Sequence, residues 1–348
     1  MLKRLLGNFR WDVLPVPGRL MAVIFFLSLF ILPLITTDSY TLLLLTFANI
    51  FVIFAVSWDV LSGYTGQVNF GHALFFGVGA YASALLYKYL GWQPGVTIIL
   101  GALIATLIGV VTCLPALRLR PPYLSLLTMS FPLILMGIVH SIPDITGGGY
   151  GIWGLPRIAG SRLGEYFIIL IVMTVSVLIM WKLTDAGSKY VRTGLIFHAI
   201  REDEIAARAT GINTIRYKIL AFAIGGLFAG IAGGLYVHIL TVASPSILSL
   251  TMSFQAIMWA IFGGVVSIYG PVVGVYILYP LVETLAGFPA IGEYRFLIMA
   301  VLVIVILLFM PQGIAVWVRE KIERECPRCK LSNVAWRKEC RACGAPLR

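Results

Sequence analysis

The chain is expected to be an all-α, polytopic membrane protein carrying a small cysteine-rich module at its C-terminal end. Three observations lead there. Of its 348 residues 59% are hydrophobic and 12% charged, and the mean hydropathy is +0.95, whereas soluble domains carry roughly 25% charged residues. Apolar runs of about 20 residues, the length a span needs, recur along most of the chain. Four of the five cysteines stand at 326, 329, 340 and 343 as two C-x2-C pairs.

Ten spans are predicted, at 21–36, 40–62, 68–87, 95–117, 123–142, 166–183, 217–239, 252–269, 271–287 and 294–311. The first follows Lys3, Arg4, Arg10 and Arg19 and is short enough for a signal core, but "TTDSYT" after it lacks an Ala-x-Ala pattern, so it is expected to be a retained helix. With the N-terminus in the cytoplasm, the inside segments are 1–20, 63–67, 118–122, 184–216, the turn near Gly270 and the tail after Pro311. These hold most of the Lys and Arg, and the outside segments hold only Lys88, Arg157 and Arg162. Both termini are therefore expected to be cytoplasmic, in a multi-pass protein of the inner membrane. The net charge of +11 is accounted for by this asymmetry, and no nucleic-acid partner is expected. The domain plan is a cytoplasmic segment 1–20, a membrane domain 21–318, a charged linker 319–325 and a module 326–348.

Within the second and third spans lies "LSGYTGQVNFGHALFFGVGAYASALL", Leu61 to Leu86. Gly63, Gly66 and Gly71 interrupt the helix, and Gln67, Asn69 and His72 fall too close together to share one helical face. Non-helical backbone at membrane depth is tolerated where it is buried in protein or lines a wet cavity. Polar groups there mark a pathway, or they serve helix packing; the residues alone leave both readings open. "IFGGVVSIYGPVVGVYILYP" (Ile261–Pro280) is a weaker, similarly Gly-rich break. "PDITGGGYGIWGLP" (Pro143–Pro156) is a turn-rich loop, either lining a cavity or covering the surface. Cys113, inside an apolar span, reads as a buried free thiol.

The long inside connection contains Ala199, Ile200, Asp203, Ala206, Ala207 and Thr210 at helical spacing, with "REDE" near a helix start and Gly211 as its stop. A solvated loop helix and a docking element are both compatible with that pattern. In the tail, two C-x2-C pairs separated by ten residues form two knuckles that close on one tetrahedral ion. A reducing cytoplasm argues against disulfides. Cys326, Cys329, Cys340 and Cys343 are the expected ligands of a structural Zn2+, with iron as the weaker alternative, in a zinc-ribbon-like module whose folding depends on the metal.

"GYTGQVNFGHALFFGVGAYASALL" resembles the signature of the LivM-type permeases, the membrane subunits of branched-chain amino acid ABC importers. The resemblance runs through "LPALRLRPPYLSLLTMSF", "TGGGYGIWGLP", "AIREDEIAARATGINTIRYKILAF", "GGLYV" and "IFGGVVSIYGPVVG", in the family's order, over about residues 20–318. It implies a type II ABC importer-like fold and alternating access. A solute-binding protein would deliver substrate from outside, two ATPase subunits would act from inside, and a LivH-type permease would form the other half of the pore. ATP would be used only through those partners, since the chain has no G-x4-GK[ST] of its own. The implied translocation path comprises Asp59, Gly63, Gly66, Gln67, Asn69, Phe70, Gly71 and His72. The implied coupling loop comprises Ala199, Arg201, Glu202, Asp203, Glu204, Ala206, Ala207 and Gly211, with Ala207 and Gly211 matching the A-x3-G core of the ABC permease motif. Ile205 and Ala206 stand where that motif has Glu and Ala, and its Leu-Pro ending is absent at "ILAF". Two further departures are "SWDVLSGY", with Trp58 and Asp59 where relatives commonly have a Leu-Asn-like pair, and the cysteine tail.

The implied cargo is branched-chain or related amino acids, with urea or short amides as the alternative on the same scaffold. An ion-coupled carrier or channel is the less favoured class, because Asp59 and Glu283 are nearly the only charges deep in the spans. A membrane enzyme using the tail metal is disfavoured, since four cysteine ligands leave no open coordination position.

Overall fold

In the computed structural model, which describes residues 17–36, 38–116, 121–186, 192–288, 292–328, 332–340 and 343–347, a helix stands at each of the ten expected spans. Asp38 shows how one begins: its carboxylate accepts from the Tyr40 and Thr41 N–H groups and caps α2. In chain order the helices are α1 Pro17–Ile35, α2 Ser39–Trp58, α3 Ala73–Leu90, α4 Pro94–Ala116, α5 Pro121–Ser141 and the short α6 Pro143–Thr146. They continue with α7 Arg162–Thr184, α8 Thr193–Glu202, α9 Glu204–Ala209, α10 Thr214–Leu240, α11 Leu250–Gly263, α12 Tyr269–Ala286, α13 Arg295–Phe309 and α14 Ile314–Ile322. Among the described residues eight helical stretches are long and apolar enough to cross a bilayer, and the apolar parts of α1 and α11 are shorter.

The most closely packed trio is α3, α4 and α10. Glycine permits this: a Cβ on Gly79 of α3 would lie 2.3 Å from the Gly230 carbonyl oxygen of α10. Lipid gives helices no hydrophobic reason to associate, so close backbone approach and van der Waals packing hold them. Polar ties reinforce the bundle. Tyr166 of α7 donates to the Leu29 carbonyl of α1 at 2.8 Å, and Tyr276 of α12 donates to Asn49 Oδ1 of α2. Leu107, Leu126, Leu297 and Leu308, on α4, α5 and α13, point outward as lipid-facing side chains do.

Contacts divide the loops between two ends of the bundle. At one, the Tyr64 ring meets His198 of α8 edge-on at 5.4 Å, and Arg319 of α14 donates to the Tyr269 hydroxyl at 3.1 Å; this is the ribbon end. At the other, β1 (Ile152–Trp153) pairs antiparallel with β2 (Val242–Ala243). His238 ties the loops there as well: its Nδ1 bonds the Pro156 carbonyl at 2.8 Å, and its Nε2 lies 3.0 Å from Ser83 Oγ.

Three boundaries differ from the sequence reading. The span expected at 68–87 starts as a helix only at Ala73, because 64–72 is non-helical. The span expected at 252–269 is helical to Gly263; Gly264, with φ +120°, and Val266, with φ +62°, turn the backbone away. The helix expected through 199–210 is two helices, because Asp203 adopts φ −155° and spends its carboxylate capping the Ile205 and Ala206 N–H groups. The expected stop at Gly211 is present, with φ +85°. Residues 319–325 form the last turn of α14 and the strand β3 (Glu323–Glu325), which pairs antiparallel with β4 (Ser332–Val334).

Candidate functional site

The break between α2 and α3 starts where α2 widens into a π-turn over Asp59–Gly63, closed by the Tyr64 N–H donating to the Asp59 carbonyl at 2.9 Å. Single π-turns inside helices are frequent at functional sites. From Gly66 to Phe70 the exposure alternates: Gly66 and Val68 are exposed, Gln67 and Asn69 buried, Phe70 half-buried beside Phe254.

The buried side forms a hydrogen-bonded network. The Trp58 indole N–H donates to the Asn69 carbonyl at 2.7 Å, and the Asn69 N–H donates to Ser62 Oγ at 3.2 Å. Asn69 Oδ1 accepts from the Gly71 N–H at 2.8 Å. His72, fully buried, lies over the Phe54 ring with 4.9 Å between centroids. Ser57 Oγ donates to the Phe54 carbonyl at 2.7 Å and meets His72 Nε2 at 2.8 Å. The serine proton being spent, His72 Nε2–H is the donor and Nδ1 faces the Asn69 amide at 3.5 Å. The backbone of the break is paired from outside: the Phe70 N–H donates to Thr128 Oγ1 at 3.2 Å, Ser125 Oγ donates to the Val68 carbonyl at 3.0 Å, and the Ala73 N–H donates to Ser253 Oγ at 2.9 Å. The polar groups of this irregular backbone are thus satisfied by α2, α5 and α11, as a break buried in protein requires. Gln67 is the exception. Its Nε2 reaches Thr65 Oγ1 at 3.4 Å, but its buried Oε1 has no partner.

The eight residues expected on the path lie in the break and the π-turn before it, but they do not share neighbours or a role. Asp59 and Gly63 face the α11–α12 turn, and Gly66 faces Arg201 of α8. Asn69 and His72 are spent on the network, while Gly66 and Phe70 reach the surface. Both Asp59 oxygens are engaged, Oδ1 by the Val266 N–H at 2.8 Å and Oδ2 by the Ser267 N–H at 3.2 Å. Sequence reasoning missed the partners Ser57, Ser62, Ser125, Thr128 and Ser253, and also Val68. Ser125 and Thr128, three residues apart on one face of α5, carried the one available signal.

At the ribbon end α8 and α9 form an angled pair. Ala207 is buried; Arg201, Glu202, Asp203, Ala206 and Gly211 are exposed, Ala199 is half-buried, and Ile205 is 80% exposed. Glu204 fastens α9 to α10 by pairing with Arg208, with Lys218 Nζ at 2.7 Å and with the Thr214 hydroxyl at 3.2 Å. Partial burial pushes the Glu204 carboxyl up, but Lys218 and Arg208 outweigh it and hold the group below the ordinary carboxylate range. A depressed carboxyl contributes stability that is present above its unfolded value and lost as pH falls through the folded one. Exchange protection across 204–218, taken relative to the intrinsic amide rate at each pH, is accordingly expected to fall on acidification below the ordinary carboxylate range, and Glu204→Gln to abolish that dependence.

In the tail, the sulfurs of Cys326, Cys340 and Cys343 all lie within 4.8 Å of one another, with Cys326 and Cys343 at 3.5 Å. Cys329 lies outside the described residues. Tetrahedral zinc with Zn–S of about 2.3 Å requires sulfurs about 3.8 Å apart, so the three fit one ion. Asn333 Nδ2, 3.5 Å from Cys340 Sγ, supplies an N–H donor of the kind that steadies a thiolate ligand.

The model of one family, described as the branched-chain amino acid transport system / permease component, matches residues 40–308. The chain belongs to that permease family. It is a multi-pass membrane permease subunit of an ABC importer, and the cysteine cluster lies outside the matched residues. Among permeases of this family, LivM of Escherichia coli K12 is 27% identical over 319 residues, covering 83% of this chain and 72% of its own. The probable LivM of Methanocaldococcus jannaschii is 24% identical, covering 80% and 93%. LivH of Escherichia coli K12 is 26% identical, covering 77% and 92%. Of solved structures, PsaBC from Streptococcus pneumoniae in complex with Fab aligns with a TM-score of 0.41 at 17% identity, over 85% of this chain and 99% of that one.

Proposed function

We propose that this permease imports branched-chain or related amino acids, handed over by a solute-binding protein outside and driven by two ATPase subunits that grip α8 and α9. A LivH-type permease completes the pore, and ATP hydrolysis belongs to the ATPase partners. The ribbon end faces the cytoplasm, with both termini there, in the inner membrane. Charge supports this polarity: of the few cations described at the opposite end, Arg157 and Arg162 pair with Glu165 at 3.9 and 3.6 Å. The four tail cysteines hold a structural Zn2+.

The observation that carries the reading is the contact between docking pair and break. Arg201 of α8 lies against Gly66, so that a Cβ there would be 3.3 Å from Arg201 Cγ. A push on α8 thus reaches the polar break directly. Gln67, with its unpaired Oε1, the exposed Gly66 and the half-buried Phe70 are the path residues, while Asn69, Gly71 and His72 hold their shape.

The test is reconstitution of this chain with a LivH-type partner, the ATPases and the binding protein. ATP-dependent uptake of leucine, isoleucine and valine is expected. Uptake of urea instead would move the substrate to short amides, and uptake without ATPases would overturn the importer reading. Ala206→Trp is expected to weaken ATPase docking about tenfold, a loss of about 1.4 kcal/mol, without unfolding the chain, because Ala206 is exposed. Titrating the ATPase against the variant checks it.

A further inference from the structure

We propose that Asp59 is a latch: a positioning residue whose carboxylate holds the α11–α12 turn against the end of α2, so that α8 and the turn move together. Its transport readout rests on the importer reading above; its structural readout does not.

Asp59 is completely buried, and its two oxygens receive two consecutive backbone N–H groups, Val266 at 2.8 Å and Ser267 at 3.2 Å. Successive N–H groups turned toward one point make a concavity suited to an anion. The backbone pays a conformational cost to form it. Val266, a β-branched residue, sits at φ +62°, where such side chains are rarely found. A conformation of that kind persists only where its surroundings impose it. Within the turn, the Ser267 hydroxyl also donates to the Gly264 carbonyl at 2.7 Å and the Gly270 N–H to the Ser267 carbonyl at 3.0 Å.

Gly63 completes the latch from the side of the break. A Cβ there would lie 1.9 Å from Asp59 Oδ1 and 3.2 Å from the Val266 nitrogen. The missing side chain is the space the carboxylate occupies, and the π-turn places Asp59 and Gly63 on the same side of the helix end. This is why a glycine that reads as a helix breaker lies in a continuous helical stretch.

The latch has a load on either side. Toward the docking pair, Tyr64 meets His198 and Gly66 meets Arg201. Toward the pore, the held turn ends α11, whose Ser253 and Phe254 touch the break at Ala73 and Phe70. With the latch closed, displacement of α8 is passed to α11. With it open, Val266 relaxes out of the left-handed region and the two sides move independently.

Two measurements test this, both on full-length chain. In detergent, Asp59→Ala is expected to raise amide exchange in peptides covering 264–270 about tenfold or more relative to wild type. Asp59→Asn, which keeps one acceptor oxygen, should fall between the two. Adding Val266→Gly to Asp59→Ala should recover part of the protection, since glycine adopts the left-handed conformation without strain. In the reconstituted importer, Asp59→Ala should leave ATP hydrolysis running while uptake per ATP drops about fivefold or more, whereas simple loss of folded protein would lower both together. Unchanged exchange in Asp59→Ala, or hydrolysis and uptake falling in parallel, overturns the latch. A wild-type complex without ATP-dependent uptake overturns the importer reading and leaves the exchange comparison to decide the latch.

Discussion

Gly71→Ala is expected to abolish uptake, and Gly137→Ala, on the helix that Gly71 touches, to leave it unchanged. A Cβ at Gly71 would stand 1.7 Å from the Thr128 carbonyl oxygen and 2.6 Å from its carbon. That obstacle is backbone, so no rotamer change removes it. An ordinary carbon–oxygen contact is about 3.3 Å, so α5 must retreat by roughly 1.5 Å. Retreat breaks the bonds that Thr128 and Ser125 make to Phe70 and Val68. Overpacking costs about 1–3 kcal/mol, and each of the two part-buried hydrogen bonds lost costs about 0.5–1.5 kcal/mol more. The sum approaches the low end of the 5–15 kcal/mol that typically separates folded from unfolded protein. At Gly137 a Cβ would meet nothing within 4 Å, and alanine is the better helix former. ATP-dependent uptake and thermal unfolding in detergent check the pair. Equal behaviour of the two variants would remove packing against α5 as the reason for glycine at 71.

Cys340→Ser is expected to remove zinc and unfold the module from Cys326 to Leu347 while uptake continues. Among the described residues the buried apolar cluster of this module is Cys326, Cys340 and Leu347, with Cys343 and Ala345 packed on it, and the only other buried side chain is Asn333, which bonds Cys340. Its core is therefore made of the ligands themselves. For small zinc modules, metal binding supplies about 10–16 kcal/mol of apparent free energy, more than a few half-buried side chains provide. Elemental analysis should find one zinc ion per wild-type chain and none in the variant, with exchange protection lost from 323–347. A variant that keeps both metal and protection would sink the assignment. Loss of uptake from a variant that still inserts would show that the module is more than an accessory.

Hydropathy made the ten spans visible, because lipid demands long apolar helices and little else produces them. Boundaries were less legible where one side chain overrides the run. Asp203 looked like an acid near a helix start, yet by capping Ile205 and Ala206 it divides one helix into two. The run ending at 269 is stopped at 263 by Gly264, within the Gly-rich stretch, but it gave no hint of the left-handed Val266 that follows, whose N–H meets Asp59, distant in sequence. The break was legible in its glycines and polar residues, but its economy was not. Ser57, Ser125, Thr128 and Ser253 read as unremarkable hydroxyls until the fold sets them beside Asn69, His72 and the freed backbone. Asp59 was placed among the path residues, but both its oxygens are committed to the α11–α12 turn. The approach of Cys326, Cys340 and Cys343 to one another was legible, because C-x2-C spacing is local.

The alternation along Gly66–Phe70 has a consequence for how the gene can vary. Side chains there take turns facing protein and surface, as residues do along any extended strand. A substitution perturbs one position, but a deletion or insertion of one residue perturbs all of them. Losing a single codon would swap the two sides at once, sending the amides of Gln67 and Asn69 toward the surface and the side chains of Val68 and Phe70 into the hydrogen-bonded network. The reading frame of sides, as much as the identity of the residues, is what this short stretch encodes.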